Sequence, residues 1–322
     1  MKLKMKFRLY SLVLIALFTF SCKGQTSEAS LEVDASETIE KTINLFDADA
    51  LLERVKYLSL DSLEGRQTGT KGGLIAREYV IGQFKKLGIA PLLDDYSQPF
   101  SFEGRRDKKT YEGANVLGVI KGSEHTENYI VISAHYDHVG VRDGKVYNGA
   151  DDDASGTSAI IAMAEYFKNN PPKHSVVIAA FDAEEMGLRG ASHFVKTNTL
   201  PKEQIAMNIN LDMVGRNDNN ELYVVGTNLY TQLQPAIEGL ELPENFKLSV
   251  GHDGLDGKQS WVSSSDHGPF HKEKIPFLYF GVEDHKDYHK PTDDFESIQP
   301  EFYEKAVIAV ITVFEKLDEI TF

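Results

Sequence analysis

His135, Asp151, Glu184, Glu185, Asp212 and His289 are side chains of the kinds that hold divalent metal ions and move protons. They stand in the segments SAHYDHVG, NGADDDASG, AFDAEEMGLRGA, NINLDMVG and DYHKPTDD. Two histidines and three carboxylates make five candidate ligands, with a fourth carboxylate adjacent to one of them. That mix suits borderline-hard ions such as zinc. Two such ions roughly 3.5–4 Å apart activate water and clamp a tetrahedral transition state. The chemistry implied is metal-dependent hydrolysis.

Each segment has a local logic. His135 and Asp137 flank one residue at the end of an apolar run, so in extended chain they share a side. Asp137 is expected behind His135, holding its imidazole in one tautomer as carboxylates behind metal-bound histidines do. Asp151 opens a run of three aspartates. Their mutual repulsion would be relieved by a cation, and one of them bridging two ions is a sensible solution. Glu184 and Glu185 are adjacent, so their side chains diverge. One can bind metal while the other faces the water as general base.

The elements that must position these groups alternate. Ala48–Leu60, Gly73–Leu87, Ser155–Lys168, Leu188–Lys196 and Pro300–Leu317 carry helical periodicity, with Gly88 as a stop. Asn115–Ile120, Tyr129–Ala134, Ser175–Phe181, Ile205–Leu211, Leu222–Val225 and Pro276–Val282 are short apolar runs that read as strands. The alternation predicts a sheet covered by helices on both faces. Most of the candidate ligands then fall at the carboxyl ends of strands, where open α/β sheets place their sites. Residues 216–270, rich in turn formers, are expected as loops over the pocket.

The motifs HYDHVG, GADDDASG, DAEEMGLRG, NLDMVG and YHKPTDD, in that order, resemble those of the M28 peptidases, as does the lead-in SLDSLEGRQTGT at residues 59–70. The resemblance covers about residues 46–322 and implies a dinuclear zinc aminopeptidase. It implies a three-layer α/β/α sandwich with a mostly parallel mixed sheet, of the zinc-exopeptidase type. By this resemblance His135 and Asp212 hold one zinc, Glu185 and His289 the other, and Asp151 bridges them. Glu184 is then the general base, and a cis peptide is implied between Asp151 and Asp152; Asp137, read above as the carboxylate behind His135, is the second catalytic candidate. Asp266 and His267, in SSSDHGPF, are candidates to line the substrate site. The alternatives are a glutaminyl-cyclase-like transferase using one zinc, a branch that lacks the equivalent of His135, a dipeptide or carboxypeptidase specificity on the same metal site, and a non-catalytic binding relative.

Several residues carry blander expectations. His138 is expected as a loop histidine, not a sixth ligand. His252 and Asp253 read as turn residues, and Arg66 as a partner in a structural ion pair. His125, His174, His193, His271 and His285 show no metal-binding spacing.

Residues 1–21 read as a signal peptide: Lys2, Lys4, Lys6 and Arg8 precede an apolar stretch, Leu9 to Phe20, too short for a span of ~20 residues. Cys22, the sole cysteine, follows it and cannot form an internal disulfide. Its position predicts an acylated lipoprotein cysteine, with residues 22–45 as a polar tether and residues 46–322 as the peptidase domain. The expected location is the bacterial cell envelope, periplasmic or surface-facing. The formal charge of −15 becomes about −19 without the four basic residues of the leader, which argues against a nucleic-acid partner.

Overall fold

The computed structural model describes residues 45–322 apart from Arg106. The predicted signal peptide, Cys22 and nearly all of the tether lie outside the described residues. Helices are α1 (Ala48–Leu58), α2 (Lys71–Leu87), α3 (Gly156–Asn169), α4 (Arg189–Lys196), α5 (His267–Lys272) and α6 (Pro300–Asp318). Strands are β1 (Ala90–Pro91), β2 (Ser97–Glu103), β3 (Thr110–Ile120), β4 (His125–His135), β5 (Gly140–Arg142) and β6 (Lys145–Tyr147). They continue with β7 (His174–Phe181), β8 (Ile205–Leu211), β9 (Glu221–Val225), β10 (Lys247–Val250) and β11 (Phe277–Gly281).

Nine strands form one mixed sheet in the order β1-β3-β7-β4-β8-β11-β9-β10, with β2 also pairing β3. The central strands β7, β4, β8 and β11 are mutually parallel. Antiparallel pairings lie towards the flanks, at β3–β7 and β11–β9. This is the expected three-layer sandwich. Strand alternation sorts the side chains: Ile130, Ile132, Ala134, Val176, Ile178 and Ala180 join the large core with α1, α2, α3 and α6. Val131, Val177, Ala179 and Phe181 face the other way, onto Phe194 of α4 and Phe270 of α5. With both faces covered, β7 is buried along its whole length, which is why its sequence is a continuous apolar run.

Helix boundaries follow local chemistry. The Asp47 side chain accepts from the Ala50 amide and caps α1. The Thr70 hydroxyl accepts from the Gly73 amide and starts α2 two residues before the predicted position. Gly88 at φ +74° ends it in a left-handed turn. Strands β2 and β10 and the short helix α5 were not legible as periodic patterns. Among the described residues no helix is long and apolar enough to cross a membrane.

Candidate metal centre

Four segments meet at the carboxyl edge of the parallel strands. His135 ends β4 and is paired in register with Phe181, the last residue of β7. The chain leaves β7 through Asp182 and Ala183, the latter at φ +58°, and so reaches Glu184 and Glu185. Asp212 follows β8, and His289 lies on the loop after β11. Ala183, Met213 (φ +59°) and His289 (φ +52°) all hold the left-handed conformation that non-glycine residues avoid. Such positions persist where the surroundings over-determine them, and they cluster at functional sites.

The central group is Asp152. One of its oxygens, Oδ1, lies 3.3 Å from His135 Nε2, and the other, Oδ2, lies 3.1 Å from His289 Nε2. His135 Nε2 is also 3.7 Å from Asp212 Oδ1, and His289 Nε2 is 3.1 Å from Glu185 Oε1. Donor atoms that share one ion at about 2.0–2.2 Å in tetrahedral array are separated by roughly 3.3–3.5 Å. The two sets therefore meet at opposite oxygens of a single carboxylate.

That corrects the expectation for Asp151. Its carboxylate turns away from the gap: Oδ1 accepts from the Gly215 amide at 2.7 Å, and Oδ2 sits 3.0 Å from His285 Nε2. The cis peptide likewise falls between Asp152 and Asp153, one residue later than the resemblance implied. Asp153 approaches His135 and Asp212 too. Its oxygens, however, already accept from the amides of Gly156 (2.8 Å), Met213 (3.2 Å) and His135 (3.1 Å), so its carboxylate is a buried brace. Asp293 holds the run from outside by accepting from the amides of Asp151 and Asp152. Burial and the neighbouring Asp151 push the Asp293 pKa up to about 6.

His135 Nδ1 lies 3.0 Å from the backbone carbonyl of Asp137 and 3.6 Å from its carboxylate. Donation from Nδ1 leaves the Nε2 lone pair aimed at the gap. The Asp137 carboxylate mainly accepts from the amides of Glu184 (3.0 Å) and Glu185 (3.4 Å), tying the glutamate turn to β4. Arg66 is wholly buried and forms no ion pair among the described residues. It donates to the carbonyls of Leu58, Tyr136, Asn148 and Gly149, tying the end of α1 and the loop after β4 to the segment that enters the aspartate run.

Charge at this edge is strongly coupled. Burial raises the Glu184 pKa well above the usual carboxylate range, with Asp266, Asp212 and Glu185 adding and His135 opposing. Burial and Asp152 push Glu185 up, but His138 and His289 outweigh them and bring it down to about 2. Burial disfavours the His289 imidazolium, yet Asp152 and Glu185 raise its pKa to about 10. His135 is held well above its ordinary value by the carboxylates around it, against the effect of burial.

A pocket of about 130 Å³ opens over the centre. Asp152, Glu184, Asp212 and His289 form its floor, with Met213, Trp261, Tyr279, Val282 and Tyr288 as apolar walls and Asp284 at the side. Asp266 and His267 do not line it. Both are fully buried; the His267 Nε2 is 2.8 Å from the Trp261 carbonyl, and burial brings its pKa down to about 3. His252, expected as a turn residue, is buried and stacks on Trp261 with ring centroids 3.5 Å apart, backing that wall. Sequence carried no signal for this pairing, because the two residues meet through a loop.

The residues fit bound metal, with donors falling into two groups. His135 Nε2 and Glu185 Oε1 are buried with no hydrogen-bond partner among the described residues, which is costly unless another group occupies the gap. Imidazole and carboxylate donors around it are the set zinc takes.

The family model described as peptidase family M28 matches residues 115–314. Aminopeptidase YwaD of Bacillus subtilis is 34% identical over 204 residues, covering 60% of this chain and 42% of that protein. The chain spans about half the length, or less, of the curated relatives it matches. Among solved structures, a zinc aminopeptidase from Bacillus subtilis superimposes with a TM-score of 0.66 at 20% identity, covering 84% of this chain and 95% of that one. A glutaminyl cyclase from Porphyromonas gingivalis gives 0.67 at 18% identity, covering 85% and 99%. At these identities the two structures establish the shared fold.

Proposed function

The chain belongs to peptidase family M28, and on that premise we propose that it is a zinc-dependent aminopeptidase holding two ions. The observation that carries this reading is the division of donors about Asp152. His135 and Asp212 stand on one side and Glu185 and His289 on the other, with Glu184 facing the same pocket. Bound zinc would supply Lewis-acid polarisation of the scissile carbonyl and lower the pKa of water.

The remaining work falls to the chain. Glu184, with its raised proton affinity, accepts a proton from the attacking water and returns it to the departing amine. A base whose pKa is moved towards neutrality does this better than an ordinary carboxylate. Asp137 orients the base by accepting from its amide, and fixes the tautomer of His135. Trp261, Tyr279 and Tyr288 wall off a pocket with room for little more than one side chain, which suits removal of a single terminal residue. The acidic rim, including Asp284, favours a free ammonium terminus over a free carboxylate. Two donor sets, each with its own histidine, favour this over the single-zinc transferase reading.

Digestion of a peptide library with free amino termini, read by mass spectrometry, tests the proposal. Stepwise loss of amino-terminal residues is expected, abolished by a chelator and restored by zinc. Cleavage at the carboxyl end, or cyclisation of terminal glutamine, would refute it.

The same reading places the enzyme in the bacterial cell envelope, anchored through acylated Cys22. Its support is the basic start, the apolar stretch Leu9 to Phe20 and the position of the sole cysteine. A fatty-acid analogue should label the wild type and not Cys22→Ser; an unlabelled, soluble wild type would refute the anchor.

A further inference from the structure

His138 stands out among the groups not yet given a role. Its side chain is fully buried, and among the described residues neither ring nitrogen has a hydrogen-bond partner. Nδ1 is 2.8 Å from Glu185 Oε1 and 3.8 Å from Asp152 Oδ2. At 2.8 Å a hydrogen bond would be expected, yet the two atoms are not aligned on each other, and both remain without a partner. Two acceptor atoms so placed converge on a common point beside them. Asp152 Oδ2 and His289 Nε2 converge on the same region, each 3.1 Å from its nearest neighbour in the set.

Backbone chemistry holds the ring there. Gly149, at φ +55°, passes so close that an added Cβ would lie 2.5 Å from the imidazole. Only a residue without a side chain lets the aspartate run approach this histidine. The His138 and His289 rings lie 5.8 Å apart between centroids, on either side of the gap.

We propose that His138 is a sixth metal ligand, joining Asp152, Glu185 and His289 through Nδ1, so that one ion has four protein donors and the other three. The four measured separations, 2.8, 3.1, 3.1 and 3.8 Å, bracket the roughly 3.3 Å expected of tetrahedral donors on zinc. The second set, His135, Asp152 and Asp212, keeps an open position. Closed four-ligand sites hold zinc structurally, and three-ligand sites leave room for water. The two sites are therefore unequal, with the tighter one built around His138. This inference rests on the two-ion reading above.

Zinc titration of the metal-stripped full chain, with chelator competition, tests it alongside X-ray absorption at the zinc edge on protein carrying one equivalent. The wild type is expected to bind two ions of distinct affinity, with two imidazoles on the tighter one. His138→Ala should weaken that site by more than the 10–100-fold typical of losing an outer partner, leaving the other site unchanged. His138→Gln, with circular dichroism as a check on folding, should behave likewise. One imidazole on the first zinc of the wild type, or unaltered affinities in His138→Ala, would overturn the inference while leaving the two-ion enzyme intact. A wild type that takes up no zinc would overturn both.

Discussion

Asp151 and Asp152 are adjacent, carry the same side chain and are both buried, yet their substitutions should have opposite consequences. Asp152 faces both histidines, with one oxygen towards each. Asp152→Asn leaves one oxygen and no charge where the proposed pair of ions would need both. Zinc content should fall at both sites, and turnover by about 10³ or more, equivalent to about 4 kcal/mol in the barrier. Asp151 instead braces the backbone through Gly215 and His285. Asp151→Asn keeps an oxygen for the Gly215 amide and surrenders one charge-assisted bond, about 2 kcal/mol. For a domain of this size that lowers Tm by roughly 4–8 °C. Metal content should remain at two ions. Elemental analysis and thermal melts on the purified pair decide the matter. Loss of zinc from Asp151→Asn, with both ions retained by Asp152→Asn, would refute the assignment of the bridge.

The adjacent glutamates should separate in the same assays: Glu184→Gln is expected to keep both ions and lose about 10²–10⁴ in turnover, whereas Glu185→Ala should lose zinc as well, and the reverse pattern would exchange their roles. Zinc uptake should release protons, since His289, at about 10, is protonated at neutral pH and must lose its proton to coordinate. Affinity should accordingly rise with pH up to about 10, and calorimetry in buffers of different ionisation enthalpy will show no proton release if the histidine is already neutral. Arg66→Lys cannot reach four carbonyls with one ammonium and should cost about 3 kcal/mol or more, seen as a Tm drop of roughly 8 °C, while an unchanged melting temperature would remove Arg66 from the framework.

Much of this protein was determined locally. Apolar runs such as Val176–Phe181 leave little choice but a strand buried on both faces, and the caps at Asp47, Thr70 and Gly88 set helix ends within a turn. Residue types at spaced motifs announced metal-dependent hydrolysis, because few other chemistries need two histidines among so many carboxylates. What sequence could not decide was direction. In the irregular turn Ala150–Ser155, three consecutive aspartates have one side-chain chemistry, and only the fold distributes them: one to Gly215 and His285, one to the gap, one to the amides of His135, Gly156 and Met213. Nor could it show that His138 is enclosed, that Asp266 and His267 sit beneath the pocket wall, or that Trp261 leans on His252. These are outcomes of contacts between residues far apart in the chain. Periodicity and propensity report on neighbours within a turn or a strand, so they identify the groups that could act. Where each group points is set by packing between elements, and among identical carboxylates that orientation alone separates the one facing both histidines from the ones that brace the backbone.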